Sequence, residues 1–168
     1  MKINTKKLTE MALLTAFALI IHSIEALIPQ LIPVPGVKIG LSNIITLIAV
    51  YRLNRREAGL VVLMKVLLSC MFGGSLSALI YSASGAILSL AVMLPLSRVI
   101  PPQNMYITGI LGAAAHNLGQ IIAAIIVSHT PGLIMYLPVL MLSGCAAGFF
   151  TGLCAAFTFM RINKTRRG

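Results

Sequence analysis

Apolar residues in this chain do not mark one face of each predicted element; they run all round several long segments. A helix bordering water keeps a polar stripe, so this pattern belongs to helices surrounded by hydrocarbon or by one another. A spanning helix needs about 20 mostly apolar residues. Six segments fit: Thr9 to Ile28, Ile39 to Leu53, Ala58 to Phe72, Ser75 to Ser97, Tyr106 to Ser128 and Met135 to Met160. They use almost the whole chain. The expectation is an all-α, polytopic membrane protein: a six-transmembrane-helix bundle with short loops, forming a single integral membrane domain over residues 1–168.

Composition agrees, with 58% hydrophobic and 10% charged residues, and leaves little for a soluble domain. The net charge of +10 first suggests nucleic acid or anionic lipid, but its placement argues otherwise. Lys2, Lys6 and Lys7 precede span one, Arg52, Arg55 and Arg56 separate spans two and three, Arg98 follows span four, and Arg161, Lys164, Arg166 and Arg167 follow span six. All fall on one side of a six-span bundle, whose other side receives only Lys38. The positive-inside rule then assigns an N-in, C-in topology in the cytoplasmic membrane, with some attraction to anionic headgroups and no nucleic-acid partner. Span one lacks a small-residue cleavage site and reads as a retained helix. Cys70, Cys145 and Cys154 show neither metal nor redox spacing and read as packing residues.

Topology converts position into depth, because each helix rises about 1.5 Å per residue in a known direction. Glu25, Lys65 and His116 are ionisable groups inside otherwise lipid-soluble segments. Span one carries His22 and Glu25 into its outer half, and span two places Ser42 and Asn43 just inside the outer face. Lys65 falls near the middle of span three. Span four brings Ser77, Tyr81, Ser82 and Ser84 in from outside, and span five carries His116, Asn117 and Gln120 from the middle outward. The polar groups share one band at or outside the midplane, over a comparatively apolar inner half.

Alternatives stand beside each candidate. Lys65 either snorkels or serves a ligand, although about 12 Å of helix on either side puts both interfaces out of easy reach. Glu25 is a ligand group or a solvated mouth residue. With His22 it shares a helix face, but no further His, Cys or Asp cluster supports a metal pair. Asn117 and Gln120 line a site or bond one helix to another. His116 and Gln120, four apart, share a face and with Lys65 present a donor-rich, positive surface suited to carboxylate, phosphate or polarised carbonyl oxygens. The connection from Pro29 to Lys38 contains three prolines and a glycine, so it cannot be continuous helix. It is also apolar. Either it closes as a lid, burying Leu31, Ile32 and Val34, or it lies on the headgroups.

The stretches PVPGVKIGLSNIITL (Pro33 to Leu47) and GAAAHNLGQ (Gly112 to Gln120) resemble those of the Gx transporter family, also labelled heptaprenyl diphosphate synthase component I. The resemblance covers essentially the whole chain. That family is in turn similar, more distantly, to the substrate-binding S components of energy-coupling factor (ECF) transporters. The ECF likeness implies six helices and capture of a vitamin from outside, under a loop between helices one and two. It also implies an Ala-x-x-x-Ala contact with a transmembrane coupling subunit, for which Ala12 and Ala16 have the spacing. The site residues expected on this plan are Asn43, Lys65, His116, Asn117, Gln120, Tyr81, Glu25 and Lys38.

A prenyl diphosphate synthase holds magnesium diphosphate with clustered carboxylates. This chain has no aspartate, and its three glutamates, Glu10, Glu25 and Glu57, are scattered. No phosphate loop, ATPase motif or nucleophile–base spacing appears. The expected function is therefore non-enzymatic, with no cofactor or metal in this chain: capture of a small vitamin-, flavin- or quinone-precursor-like ligand for uptake, with ATP hydrolysed by partner subunits. The alternative is a non-catalytic membrane subunit of a polyprenyl diphosphate synthase or of a quinone and flavin electron-transfer system.

Overall fold

The computed structural model describes residues 5–27, 41–71 and 76–165, and these are helical with short connections. Six α-helices follow in order: α1 (Thr5–Leu27), α2 (Asn43–Arg52), α3 (Arg55–Met71), α4 (Leu76–Val99), α5 (Met105–Ser128) and α6 (Leu137–Thr165). Single 3₁₀ segments, Pro102–Asn104 and Pro131–Tyr136, lead into α5 and α6. His129 ends α5 in the left-handed region (φ 52°), a conformation His adopts more readily than most residues with a side chain. Pro95 lies inside α4, which nevertheless runs on to Val99.

Four stretches are long and apolar enough to cross a membrane: Thr5–Glu25, Leu79–Val99, Pro102–Ser128 and Pro131–Lys164. The chain therefore has the build of a membrane protein. The expected second and third spans are shorter. The 17 residues of α3 rise about 25 Å, and Arg55, Arg56, Glu57 and Lys65 interrupt its apolar run. The 10 residues of α2 rise about 15 Å, half the hydrocarbon thickness. Ile39 and Gly40, where span two is expected to begin, lie outside the described residues.

Short as it is, α2 is the hub, touching α1, α3, α4, α5 and α6. Its Ile45, Thr46, Leu47, Ile48, Ala49 and Val50 are all buried, which explains why it is apolar on every side. Around it α5 packs between α4 and α6, α3 joins α1 to α4, and α1 rests on α2 and α3. The tightest core gathers Leu47, Val50, Ala58, Met93, Met105, Ala155 and Phe159. These belong to the C-terminal parts of α2, α4 and α6 and the first turns of α3 and α5, so the dry core fills one half of the bundle.

That half ends in a polar layer. Lys7 Nζ reaches Glu57 Oε1 at 2.9 Å, and Arg52 pairs with Glu10. The Asn54 backbone N–H donates to Glu57 Oε2 at 3.1 Å, so the third residue of α3 caps its own helix. The bond from Lys7, with that from Asn54, holds the Glu57 carboxyl below the usual range. Tyr51 Oη and Thr108 Oγ1 share a hydrogen bond of 2.7 Å, and the Tyr51 ring meets Phe159 edge-on. These ties collect the start of α1, the α2–α3 turn, the start of α5 and the end of α6 at one basic end. Among the described lysines and arginines, only Lys65 lies away from it.

The Arg52 and Glu10 side chains are 13% and 26% exposed. Arg52→Gln is expected to destabilise the fold by about 1–3 kcal/mol, between the limits for exposed and buried pairs. Adding Glu10→Gln should recover part of that loss, because it removes the uncompensated carboxylate. Thermal unfolding of the four members of this mutant cycle in detergent measures the coupling.

Candidate functional site

Three polar residues on three helices reach one level above the basic end. Asn43 is nine residues above Arg52, Lys65 ten above Arg55, and His116 eleven above Met105. At 1.5 Å per residue these heights are about 14, 15 and 16 Å. Asn43 thus opens α2 at the level of Lys65 and His116, about 14 Å from the basic end. The reason is the helix length: only 10 helical residues separate Asn43 from the basic end.

The convergence is direct. Lys65 Nζ donates to Asn43 Oδ1 at 3.4 Å, joining the middle of α3 to the first residue of α2. The His116 imidazole is hydrogen-bonded to the backbone of Gly85 in α4 and lies within electrostatic reach of the Lys65 ammonium. Gly85 makes this approach available: a Cβ there would stand 2.9 Å from His116 Nδ1 and Cε1 and from Gln120 Cγ. His116 and Gln120 therefore meet α4 on one face, as their spacing of four requires. The crossing is fixed beside them, where Ser84 Oγ donates to Gly119 O at 3.1 Å and to Tyr81 O at 2.9 Å. Gly85 has no place among the sequence candidates; its only sequence signal is the small-residue run Ser82 to Ala86.

The remaining candidates separate from this group. Asn117, one residue past His116, is turned about 100° round α5 and donates its amide to Leu140 O of α6 at 2.5 Å. Its side chain also fills the space left by Gly144. The geometry makes it an interhelical bond, one of the two readings open from the sequence. Glu25 is only 7% exposed, so the solvated mouth reading does not hold. Nor does Glu25 share the level of Lys65. From the Lys7–Glu57 pair, Lys65 is eight residues along α3 and Glu25 eighteen along α1, which puts Glu25 about 15 Å further from the basic end. Tyr81 is half-buried one turn beyond Gly85. Lys38 and the rest of the Pro29–Lys38 connection lie outside the described residues. Ala12 and Ala16 are both exposed on α1.

Among the described residues no three His, Cys, Asp or Glu side chains gather as metal ligands, and Cys70, Cys145 and Cys154 are free thiols. What the cluster offers is hydrogen bonding around one fixed cation. Lys65 and Asn43 stand at the N-terminus of α2, where Ser42, 4% exposed, makes no side-chain cap. The first-turn N–H groups of a helix carry partial positive charge and favour anionic or polarised oxygens. His116 and Gln120 supply polar groups from α5, while the apolar α2 stretch from Ile45 to Val50 lies toward the basic end.

Gly85→Ala is expected to displace the His116 and Gln120 side chains and cost about 1–3 kcal/mol by overpacking. In Gly85→Ala/His116→Ala the added methyl finds the space of the lost ring. Recovery of thermal stability in that double variant checks the contact.

A profile of the family described as heptaprenyl diphosphate synthase component I matches residues 14–158. No curated protein and no solved structure matches the chain.

Proposed function

We propose that this chain, which belongs to the heptaprenyl diphosphate synthase component I family, is the substrate-capture subunit of a membrane uptake system of ECF S-component type. The observation that carries the reading is the approach of Lys65 to Asn43 and to His116, which the reading places at mid-membrane depth. A lysine at that depth costs about 2.5–3.5 kcal/mol on insertion scales, and such residues characteristically mark ligand or ion paths. With the basic end in the cytoplasm, as the positive-inside rule requires, the packed half of the bundle faces inward. A ligand then reaches the cluster from outside and must be released past α2. The sequence holds no nucleotide-binding motif, so the work of release falls to ATPase subunits acting through a membrane coupling subunit, for which the exposed Ala12 and Ala16 of α1 offer a contact.

Binding of flavins, B vitamins and quinone precursors to the purified protein tests the reading. Wild-type binding that is lost in Lys65→Ala and His116→Ala is the expected result. Binding that survives both substitutions unchanged sinks the site, and uptake by the isolated protein in vesicles without ATPase partners indicates a secondary carrier instead.

The family's description favours a second reading, an accessory component of a prenyl diphosphate synthase. Catalysis would then reside on the partner. Glu10 is paired with Arg52, Glu57 with Lys7, and Glu25 is buried far along α1, so no carboxylate cluster exists to hold magnesium diphosphate. Recovery of a soluble prenyl synthase in a pull-down, with no coupling subunit, is the outcome that selects it.

A further inference from the structure

We propose that the basic end is a binding surface for anionic phospholipids, with headgroup phosphates held by Arg55 and Arg56 of α3 and Arg98 of α4. The chain carries 13 lysines and arginines against three acidic residues, so it cannot neutralise itself. The imbalance is concentrated. Among the described residues, eight of those cations gather at the basic end with two carboxylates, and both carboxylates are engaged, Glu57 by Lys7 and Glu10 by Arg52. Glu25, the third acid of the chain, lies toward the other end of α1. Most of the charge is thus left for anions from outside the chain, and Arg55, Arg56, Arg98, Arg161 and Lys164 present it on exposed side chains.

Packing brings the three arginines to one level. Arg55 and Arg56 open α3 beside the Lys7–Glu57 pair. Met93 of α4 fills the space that a Cβ at Gly112 would need. Arg98, five residues on, lies about 7.5 Å nearer the basic end, level with the first turn of α5. Next to these cations stand exposed apolar side chains. Leu60 follows Arg56 by one turn of α3, and on α6 Phe157 and Met160 precede Arg161 and Lys164 by one turn. In each case the cation is nearer the end of the bundle and the apolar group nearer its middle, as a headgroup above its acyl chain requires. The cations also sit on α1, α3, α4 and α6, all in contact with the central α2. A girdle of this kind fits a surrounding lipid layer, whereas a soluble acidic partner would meet a patch on one side. Arginine suits the lipid phosphate, because its planar fork bonds two phosphate oxygens at once. This role holds whichever side of the membrane the basic end faces, and with or without ligand capture at Lys65.

The test uses the full chain reconstituted into nanodiscs of mixed phosphatidylcholine and phosphatidylglycerol. Lipids that stay with the protein on extraction, counted by native mass spectrometry, should be enriched in phosphatidylglycerol by about threefold or more over the bilayer. Arg55→Gln/Arg56→Gln/Arg98→Gln should return the ratio to the bilayer value, and Arg56→Gln/Arg98→Gln is the second variant should the triple one fail to fold. In detergent, phosphatidylglycerol should raise the melting temperature of the wild type more than phosphatidylcholine does, with the difference shrinking at high salt. Inorganic phosphate and glycerol phosphate should not reproduce it. Equal retention of the two lipids overturns the proposal, as does a preference that both arginine variants keep. Stabilisation by the free phosphates equal to that by phosphatidylglycerol overturns it in favour of a soluble-anion site. Arginine-dependent stabilisation by polyglutamate without any lipid preference overturns it in favour of an acidic protein partner.

Discussion

Gly109→Ala is expected to be among the most damaging single-methyl additions to this chain, costing about 3 kcal/mol, the upper end for overpacking. A Cβ at Gly109 would overlap the Gly148 carbonyl oxygen and stand 3.2 Å from Gly152 Cα. The reverse contacts are equally tight: a Cβ at Gly148 would lie 2.9 Å from the Gly109 carbonyl carbon, and one at Gly152 3.0 Å from Met105 O. In each case the obstacle is helix backbone, which has no flexible end to swing aside. Relief requires α5 and α6 to separate, and α6 also packs on α2, so the strain would spread to the hub. Small residues let helices approach this closely in a membrane, where dispersion and backbone contact replace the hydrophobic driving force.

Gly59 supplies the control. Nothing lies within 4 Å of a Cβ placed there, so Gly59→Ala should stabilise α3 by about 0.5–1 kcal/mol through helix propensity alone. Thermal unfolding and folded yield of the two variants, prepared in parallel, separate the effects. A Gly109→Ala protein with wild-type stability would mean that α5 and α6 do not touch at this seam.

All-round apolarity shows in the sequence, and so do the helices it produces, because hydropathy and length are local properties. The pairing of His116 with Gln120 is legible for the same reason: spacing of four fixes a common face whatever the neighbours are. Helix phase against a neighbour is not local. His116 and Asn117 are adjacent, polar and equally eligible for a site, and only the packing of α5 between α4 and α6 sends one to Gly85 and the other to Leu140. The start of α2 is not legible because Ile39 to Leu53 is apolar nearly throughout and offers no hydropathy boundary, whereas the helix begins at Asn43. The role of Gly85 lies in a side chain it lacks, and no residue pattern advertises which partner will fill that space.

Lys65→Met is expected to leave the fold as stable as wild type or more so, by up to about 2 kcal/mol, while abolishing ligand binding. On the proposed placement of Lys65 within the membrane, an apolar side chain of similar length removes an insertion cost of about 2.5–3.5 kcal/mol. Against this stands the loss of the bond to Asn43, worth about 1.5–3 kcal/mol for a charged donor in good geometry and toward the low end for one as long as 3.4 Å. Asn43 would keep an unsatisfied amide oxygen in the single variant, so Lys65→Met/Asn43→Leu should be more stable still. Stability and binding measured on the same preparations decide between two roles for this lysine. If Lys65 ties α2 to α3 structurally, both quantities fall together and Lys65→Arg restores neither well. If it is kept for a ligand, they part company: the apolar variants gain stability and lose binding, which is the signature of a charge retained in the membrane against its own energetic cost.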